Sequence, residues 1–310
     1  MAYTDTDTAS NYLGELFLVG ANKTPFLNLM GGLNGARSKT TRSLIFPMAQ
    51  PWSIESPSIP TLTEDNIVTA ATASTTVTRG QDLNTCQYFK EDVIVSYPKI
   101  AQYGALTGLA ALGNQPVTDE MAFQKMTKLK KLANDYELSA LTGTYAAAAN
   151  SSTNPQMGGI ITACATNTES AGSVDVTKAV VDALMQEMAG NGALFENMYM
   201  FLNAWNKGVI TDLYGYQPED RNVGGINIQR ILTDFCELQV MYAPNMPTST
   251  ILVADMNYVY PVFLPYRGQT LFYEDLAKTA AAERGQFIMF AGVDYGPEEY
   301  HGTITSTSIS

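Results

Sequence analysis

Histidine is nearly missing from this chain: His301 is the one imidazole in 310 residues. A lone histidine leaves no second ring for a metal site. No nucleophile or carboxylate stands at a spacing that would mark a Ser–His or Cys–His couple. Cysteine is scarce as well. Cys86, Cys164 and Cys236 are far apart and form no CxxC. An odd, sparse set excludes a disulfide framework or a structural zinc knuckle, so reduced thiols are expected. Phosphate-cradling loops are absent too, with neither GxGxxG nor a glycine loop ending in Lys-Ser or Lys-Thr. Gly158-Gly159 and Gly224-Gly225 read instead as tight turns or points of close backbone packing. Acidic neighbours such as Glu64-Asp65, Asp119-Glu120, Glu219-Asp220 and Glu298-Glu299 fit solvated turns and helix starts better than an acid–base dyad. The expectation is therefore no catalytic residue, no cofactor and no bound metal.

Charge is also thin, at 15% of residues against a usual share of about 25%. What charge there is tilts acidic: 18 Lys and Arg against 30 Asp and Glu give a net −12. Such a surface repels polyphosphate, which argues against strong nucleic-acid binding. A large chain with few charges either buries much of its surface or covers it with neutral polar groups, as subunits that pack against copies of themselves do. Long apolar runs are missing, so no membrane span is expected. The start, Met1-Ala-Tyr-Thr-Asp, lacks the basic flank and apolar core of a secretory signal, and synthesis in the cytosol is expected.

What is present is 45% hydrophobic and 10% aromatic, ample for a core in one large domain or two joined ones. Thr8 or Ser10 caps a short amphipathic helix carrying Leu13, Leu16 and Phe17, followed by a second apolar patch at Phe26, Leu27, Leu29 and Met30. Residues 37–90 show no helical period. Pro47, Pro51, Pro57 and Pro60 hold the first half extended, and residues 67–78 are rich in Thr and Val, including Val77. The pattern predicts a long hairpin turning near residues 63–66, each arm reaching roughly 60 Å at most. A two-stranded ribbon is marginal in water. Its partner surface must then come from elsewhere, unless these are two strands of an ordinary sandwich. Trp52 and Ile54 on the ribbon, Val77 opposite them, and Phe26 and Leu29 on the strap are the candidate contacts between subunits.

Residues 91–97 predict a short strand and 101–112 a helix-prone connector. Thr118 or Asp119 then caps a helix running to Leu141 and ended by Gly143, a rod of about 35 Å. Its apolar stripe is Ala122, Met126, Leu129, Leu132/Ala133, Tyr136 and Ala140. Lys125, Lys128, Lys130 and Lys131 crowd its middle, as a solvated face or as a weak contact with DNA or an acidic partner segment. Beyond it, helices are expected at 176–189 (capped by Asp175) and 204–213. Strands are expected at 198–203, 226–232, 238–242, 251–254, 287–290 and 300–306, the last two closing one sheet. The mixture is an α+β architecture.

Several short motifs, in order, carry a resemblance: Thr24-Pro25-Phe26-Leu27-Asn28-Leu29, Asn84-Thr-Cys-Gln87-Tyr-Phe89 leading to Val93-Ile-Val-Ser96, Tyr103-Gly104, Asp119-Glu120-Met121, Asp135-Tyr-Glu137, Leu141-Thr-Gly143, Gly158-Gly159-Ile160 and Phe201-Leu-Asn203-Ala-Trp-Asn-Lys207. Together they resemble the major capsid proteins of tailed bacteriophages, with the Hong Kong 97-type fold. Where that family often continues its strand with Gly-Thr, Tyr97-Pro98 follows here. The resemblance implies an N-terminal arm at 1–36, an extended loop at 37–88, a peripheral domain at 89–145 and 271–310 around the spine helix, and an axial domain at 146–270. It further implies a self-assembling icosahedral shell subunit, not an enzyme, built of pentamers and hexamers in the host cytoplasm. Expected partners are scaffolding, portal or decoration proteins and double-stranded DNA. A nanocompartment or tail-tube subunit, or a cytosolic hydrolase, are the alternatives.

Overall fold

The computed structural model describes residues 23–33, 37–49, 52, 57, 59, 61, 63–68, 79–101, 119–215, 218–223, 226–278 and 280–308. The chain enters through the short helix α1 (Pro25–Met30), whose proline occupies the first turn where no N–H is missed, and leaves it through Gly31 at φ 109°. The strands β1 (Lys39–Thr40) and β2 (Ile45–Pro47), the helix α2 (Glu64–Val68) and the strands β3 (Leu83–Thr85) and β4 (Gln87–Ser96) follow. The chain then turns through α3 (Tyr97–Ala101). The spine helix α4 (Glu120–Thr142) starts where the Asp119 carboxylate accepts the Ala122 N–H at 3.1 Å and stops at Gly143, as its sequence predicts.

After it come α5 (Ile160–Ala163), β5 (Thr168–Val174), α6 (Lys178–Gly190), β6 (Met198–Leu202) and α7 (Ala204–Tyr214). The remaining strands are β7 (Pro218–Val223), β8 (Ile226–Leu232), β9 (Glu237–Tyr242), β10 (Ile251–Asp255), β11 (Tyr260–Phe263), β12 (Leu271–Asp275), β13 (Ala282–Asp294) and β14 (His301–Thr307).

Two large sheets organise these elements. In the five-stranded sheet the long β13 is central, with β4 antiparallel along one side and β12 and β11 along the other; β1 adds to β11 in parallel. The seven-stranded sheet runs β5-β14-β10-β6-β9-β8-β7. Strand alternation explains why β6 is buried along its whole length. Tyr199 and Phe201 face a core shared with α4 and the five-stranded sheet. Met198, Met200 and Leu202 face a second core under α6 and α7.

The sheets redraw the expected domains. β11, placed by sequence in the axial unit, belongs to the five-stranded sheet, and β14, placed in the peripheral unit, belongs to the seven-stranded one. The last two strands therefore close different sheets. Asp175 does not cap α6, which starts after Thr177; its carboxylate accepts the Trp205 indole N–H instead. The expected turn at 63–66 is occupied by the start of α2. The spine stripe is buried only in its second half, at Leu132, Tyr136 and Ala140, while Ala122, Met126 and Leu129 are exposed. The amphipathic helix around Leu13 and the connector from 102 to 112 lie outside the described residues.

Tyr136 sits at the centre of the shared core, stacked near Phe263 and edge-on to Phe89, with its hydroxyl donating to the Gly292 carbonyl at 2.9 Å. Tyr136→Phe keeps the packing and removes one hydrogen bond to a carbonyl that also faces Val262 in the strand pair. Thermal unfolding should show a loss of about 1 kcal/mol, and an unchanged midpoint would contradict the assignment.

Candidate functional site

The extended loop is a ribbon at its root. β2 pairs antiparallel with β3, from Ile45↔Thr85 to Pro47↔Leu83, and an isolated antiparallel bridge joins Trp52 to Arg79 further out. Between these points one arm advances five residues and the other four, so an extra residue bends the ribbon. Trp52 is 63% exposed, and Ile59, Ile67 and Val68 are more open still. A tryptophan this exposed on a two-stranded arm is what a contact between subunits requires. Ile54 and Val77 lie outside the described residues.

The root of the ribbon is as closed as its outer part is open. Phe46 packs with Cys86 and Val262, and its ring occupies the space where a Cβ on Gly292 would stand. Asn84 is fully buried with every polar atom engaged. Its amide NH₂ donates to the carbonyls of Val293 at 2.8 Å and Gly158 at 3.1 Å, and its oxygen accepts the N–H groups of Thr85 and Gly158, both at 2.8 Å. Gln87 accepts the Met157 N–H nearby. A Cβ on Gly159 would come within 2.6 Å of the Gly143 nitrogen, so only glycine lets the two backbones meet. The motifs around residues 84–89, 141–143 and 158–160 thus meet in space at the ribbon root.

The strap is anchored separately. Phe26 is fully buried, edge-on to Phe201 at 5.2 Å, and Leu29 packs half-buried on the same core. Phe26 is therefore corrected from an inter-subunit contact to an internal one: no surface of it remains for a partner. Sequence reading missed the group that holds it. Glu137 on α4 is buried, its carboxylate accepting the Leu27 N–H and the Asn245 side-chain N–H at 2.9 Å each. A carboxylate at the N-terminal N–H groups of α1 is the expected pairing. Burial still dominates and raises its pKa from the ordinary 4.5 to about 7. A glutamate one position from an apolar stripe reads as solvated, so only the three-dimensional neighbours reveal it. Arg37 clamps the strap's far side, donating to the Met256 carbonyl at 2.5 Å and lying over the Tyr260 ring.

The lysine cluster is not a free basic patch. Lys128 and Lys131 both pair with Glu91 on β4, and Lys131 also reaches Asp135 at 2.7 Å. Lys125 lies over the Tyr273 ring at 3.9 Å. These three fasten the spine to its own sheet. Lys130 alone of the four is exposed with no ion pair or ring contact among the described residues. His301 is equally occupied. Its Nδ1 accepts the Asp255 N–H at 3.2 Å, its Nε2 lies 2.5 Å from the Tyr295 carbonyl, and burial lowers its pKa to about 4. Cys86 and Cys164 are buried and Cys236 half-buried, all three as free thiols. No cluster of metal-binding side chains occurs among the described residues.

Over residues 2–308 the sequence matches the family described as SU10 major capsid protein. No curated protein sequence matches it. Among solved structures, the chain is similar to the capsid protein of cyanophage A-1(L), with 12% identity, 99% of this chain and 97% of that one covered, and a TM-score of 0.64. It is also similar to the capsid of cyanophage P-SCSP1u, with 14% identity, coverage of 96% and 92%, and a TM-score of 0.55. The SrpI encapsulin of Synechococcus elongatus PCC 7942 is similar at 10% identity, coverage of 100% and 94%, and a TM-score of 0.59. At such identities the likeness is one of fold.

Two outcomes follow from the anchors. Asn84→Ala strands two carbonyls and two N–H groups, and should lower subunit stability by about 3 kcal/mol in denaturant unfolding; a change under half that size would contradict the anchor. For Glu137 the folded pKa lies above the unfolded one. Its contribution is thus complete below pH 4.5 and is lost as pH rises through about 7. His301 works in the opposite direction between about 4 and 6.5, being depressed by burial. The difference between wild type and Glu137→Gln isolates the first group: the stability gap should narrow or reverse on going from pH 5 to pH 8. A gap independent of pH would contradict the assignment.

Proposed function

This chain belongs to the SU10 major capsid protein family, and on that footing we propose that it self-assembles into the icosahedral head of a tailed bacteriophage around double-stranded DNA. The observation that carries the reading is a ribbon rooted by Asn84 and Phe46 in its own subunit, with Trp52 uncovered beyond that root. A surface of that kind is completed by a neighbouring copy.

The parts take the following roles. Residues 1–36 serve as the N-terminal arm and 37–88 as the extended loop across the neighbouring subunit. The five-stranded sheet with the spine helix serves as the peripheral domain. The seven-stranded sheet with α6 and α7 serves as the axial domain, whose loops meet at the centres of pentamers and hexamers. Leu29 and Trp52, with Ile54 and Val77, remain the proposed contacts. The chain works as a structural subunit without catalytic turnover, assembled in the host cytoplasm with scaffolding, portal or decoration proteins. DNA is met weakly, in keeping with a net charge of −12 and with spine lysines already paired to Glu91 and Asp135. A cargo-enclosing nanocompartment shares the fold, but the family match over residues 2–308 favours the phage head.

Deleting residues 51–76 tests the assignment. Purified variant and wild type are compared by sedimentation and negative-stain microscopy. Wild type should give closed shells, and the variant folded subunits or capsomers that no longer close. Cooperative unfolding of the variant, as removal of core strands would cause, overturns the role given to the ribbon.

A further inference from the structure

Beyond Gly143 the chain makes a loop before it returns to the ribbon root at Gly158, and an isolated antiparallel bridge, Ala146↔Gln156, closes that loop. Its tip is Asn150-Ser151-Ser152-Thr153, with Asn150, Ser151 and Ser152 exposed. Three donors converge on the Asn150 Oδ1: the Ser152 N–H at 3.0 Å, the Ser152 hydroxyl at 2.7 Å and the Thr153 hydroxyl at 3.0 Å. The backbone donor identifies that atom as the oxygen of the amide. The Ser151 N–H, next to Asn150 in the chain, makes no hydrogen bond among the described residues. A free backbone N–H thus stands beside a side-chain carbonyl already polarised by three donors.

We propose that Asn150 is a self-modification site, deamidating through a cyclic imide formed with Ser151. Hydroxide takes the Ser151 N–H proton, and that nitrogen attacks the Asn150 Cγ. The carbonyl electron pair moves onto Oδ1, where the three donors stabilise the developing charge. Collapse of the tetrahedral centre breaks the Cγ–Nδ2 bond and releases ammonia, which takes its proton from water. Water then opens the imide at either carbonyl, giving aspartate or isoaspartate. The net change is one water consumed and one ammonia released, with no oxidation or reduction. Sequence alone would favour Asn191-Gly192, because glycine sets no side chain against ring closure. The fold opposes the reaction there. Asn191 ends α6, its side-chain N–H donates to the Asn167 Oδ1 at 2.8 Å, and the Gly192 N–H donates to the Ala189 carbonyl at 3.3 Å. The attacking group is occupied and the leaving amide is held, so the helix end must open first. Asn154 precedes Pro155, which has no N–H to attack with. Each conversion at Asn150 adds a carboxylate to a chain of net −12, in a loop whose Tyr145 packs over Gly158 beside Asn84. The reaction needs no shell. In any assembly of this chain, the loop would record age as charge.

The test holds the purified full chain at mildly alkaline pH and samples it over days. Its peptides are mapped by mass spectrometry and by isoaspartate-specific methylation, which keeps these sites apart from Asn34-Gly35, outside the described residues. In the folded chain Asn150 should convert at least about tenfold faster than Asn191, and in denaturant the order should reverse. Conversion of Asn191 as fast as that of Asn150 in the folded chain overturns the proposal. So does an Asn150 that still leads in denaturant, since its speed then belongs to the sequence and not to the loop. The donors are tested by Ser152→Ala combined with Thr153→Ala. Their loss should slow Asn150 about fivefold, while an unchanged rate at Asn191 shows that the variant is folded. Equal or faster conversion of Asn150 in that variant, as a merely loosened loop would give, overturns the proposal as well.

Discussion

The carboxylate of Glu137 is the point on which the arrangement of the subunit turns. It lies on the spine helix, accepts an N–H from the strap and another from Asn245 in the turn that follows β9. Three parts of the chain, separated by about a hundred residues each, therefore share one buried acid. Its burial would be costly without those donors. With them, the strap cannot leave the spine without stranding a charged or protonated group in an apolar core. Phe26 then fits edge-on to Phe201, and the strap becomes part of the wall between the two sheets. The strap is thus internal architecture, although its sequence suggests an appendage.

How much of this is legible in the sequence depends on whether the signal is local. The spine helix is read almost to the residue, because Asp119 and Gly143 are local start and stop chemistry. The buried strands β6 and β10 are equally plain as apolar runs. The polar strand β5, Thr-Glu-Ser-Ala-Gly-Ser-Val, carries no such pattern and is held by parallel pairing to β14. The split of the final strands between two sheets is a matter of topology, which periodicity cannot express. Lys125, Lys128 and Lys131 look like a cluster on the helix, yet each finds its partner across the sheet, at Tyr273 or Glu91. Glu137 is invisible for the same reason.

The motifs that carry the family likeness are scattered over some 180 residues of sequence but not in space. Asn84, Gln87, Gly143, Gly158 and Gly159 surround the ribbon root, and Tyr136, Glu137 and Phe201 lie along the adjoining core. They share a physical demand, which is the meeting of backbones from three elements without room for side chains or for unpaired amides. Asn84 meets it by acting as a surrogate strand, giving two donors and accepting two. The fold is specified most tightly where the extended loop leaves the body, and least by the exposed outer ribbon.

The continuity of β3 into β4 has a mechanical consequence. β4 runs antiparallel to β13 from Gln87↔Ala291 to Ser96↔Ala282, in line with the arm that precedes it. A pull along the ribbon therefore reaches the body as shear along the whole strand pair, with the hydrogen bonds loaded together. Peeling, which breaks them one at a time, is the weaker mode and is not the one this geometry offers. The load then passes through Glu91 to the spine helix, so tension between neighbouring subunits would be borne by the stiffest element of each.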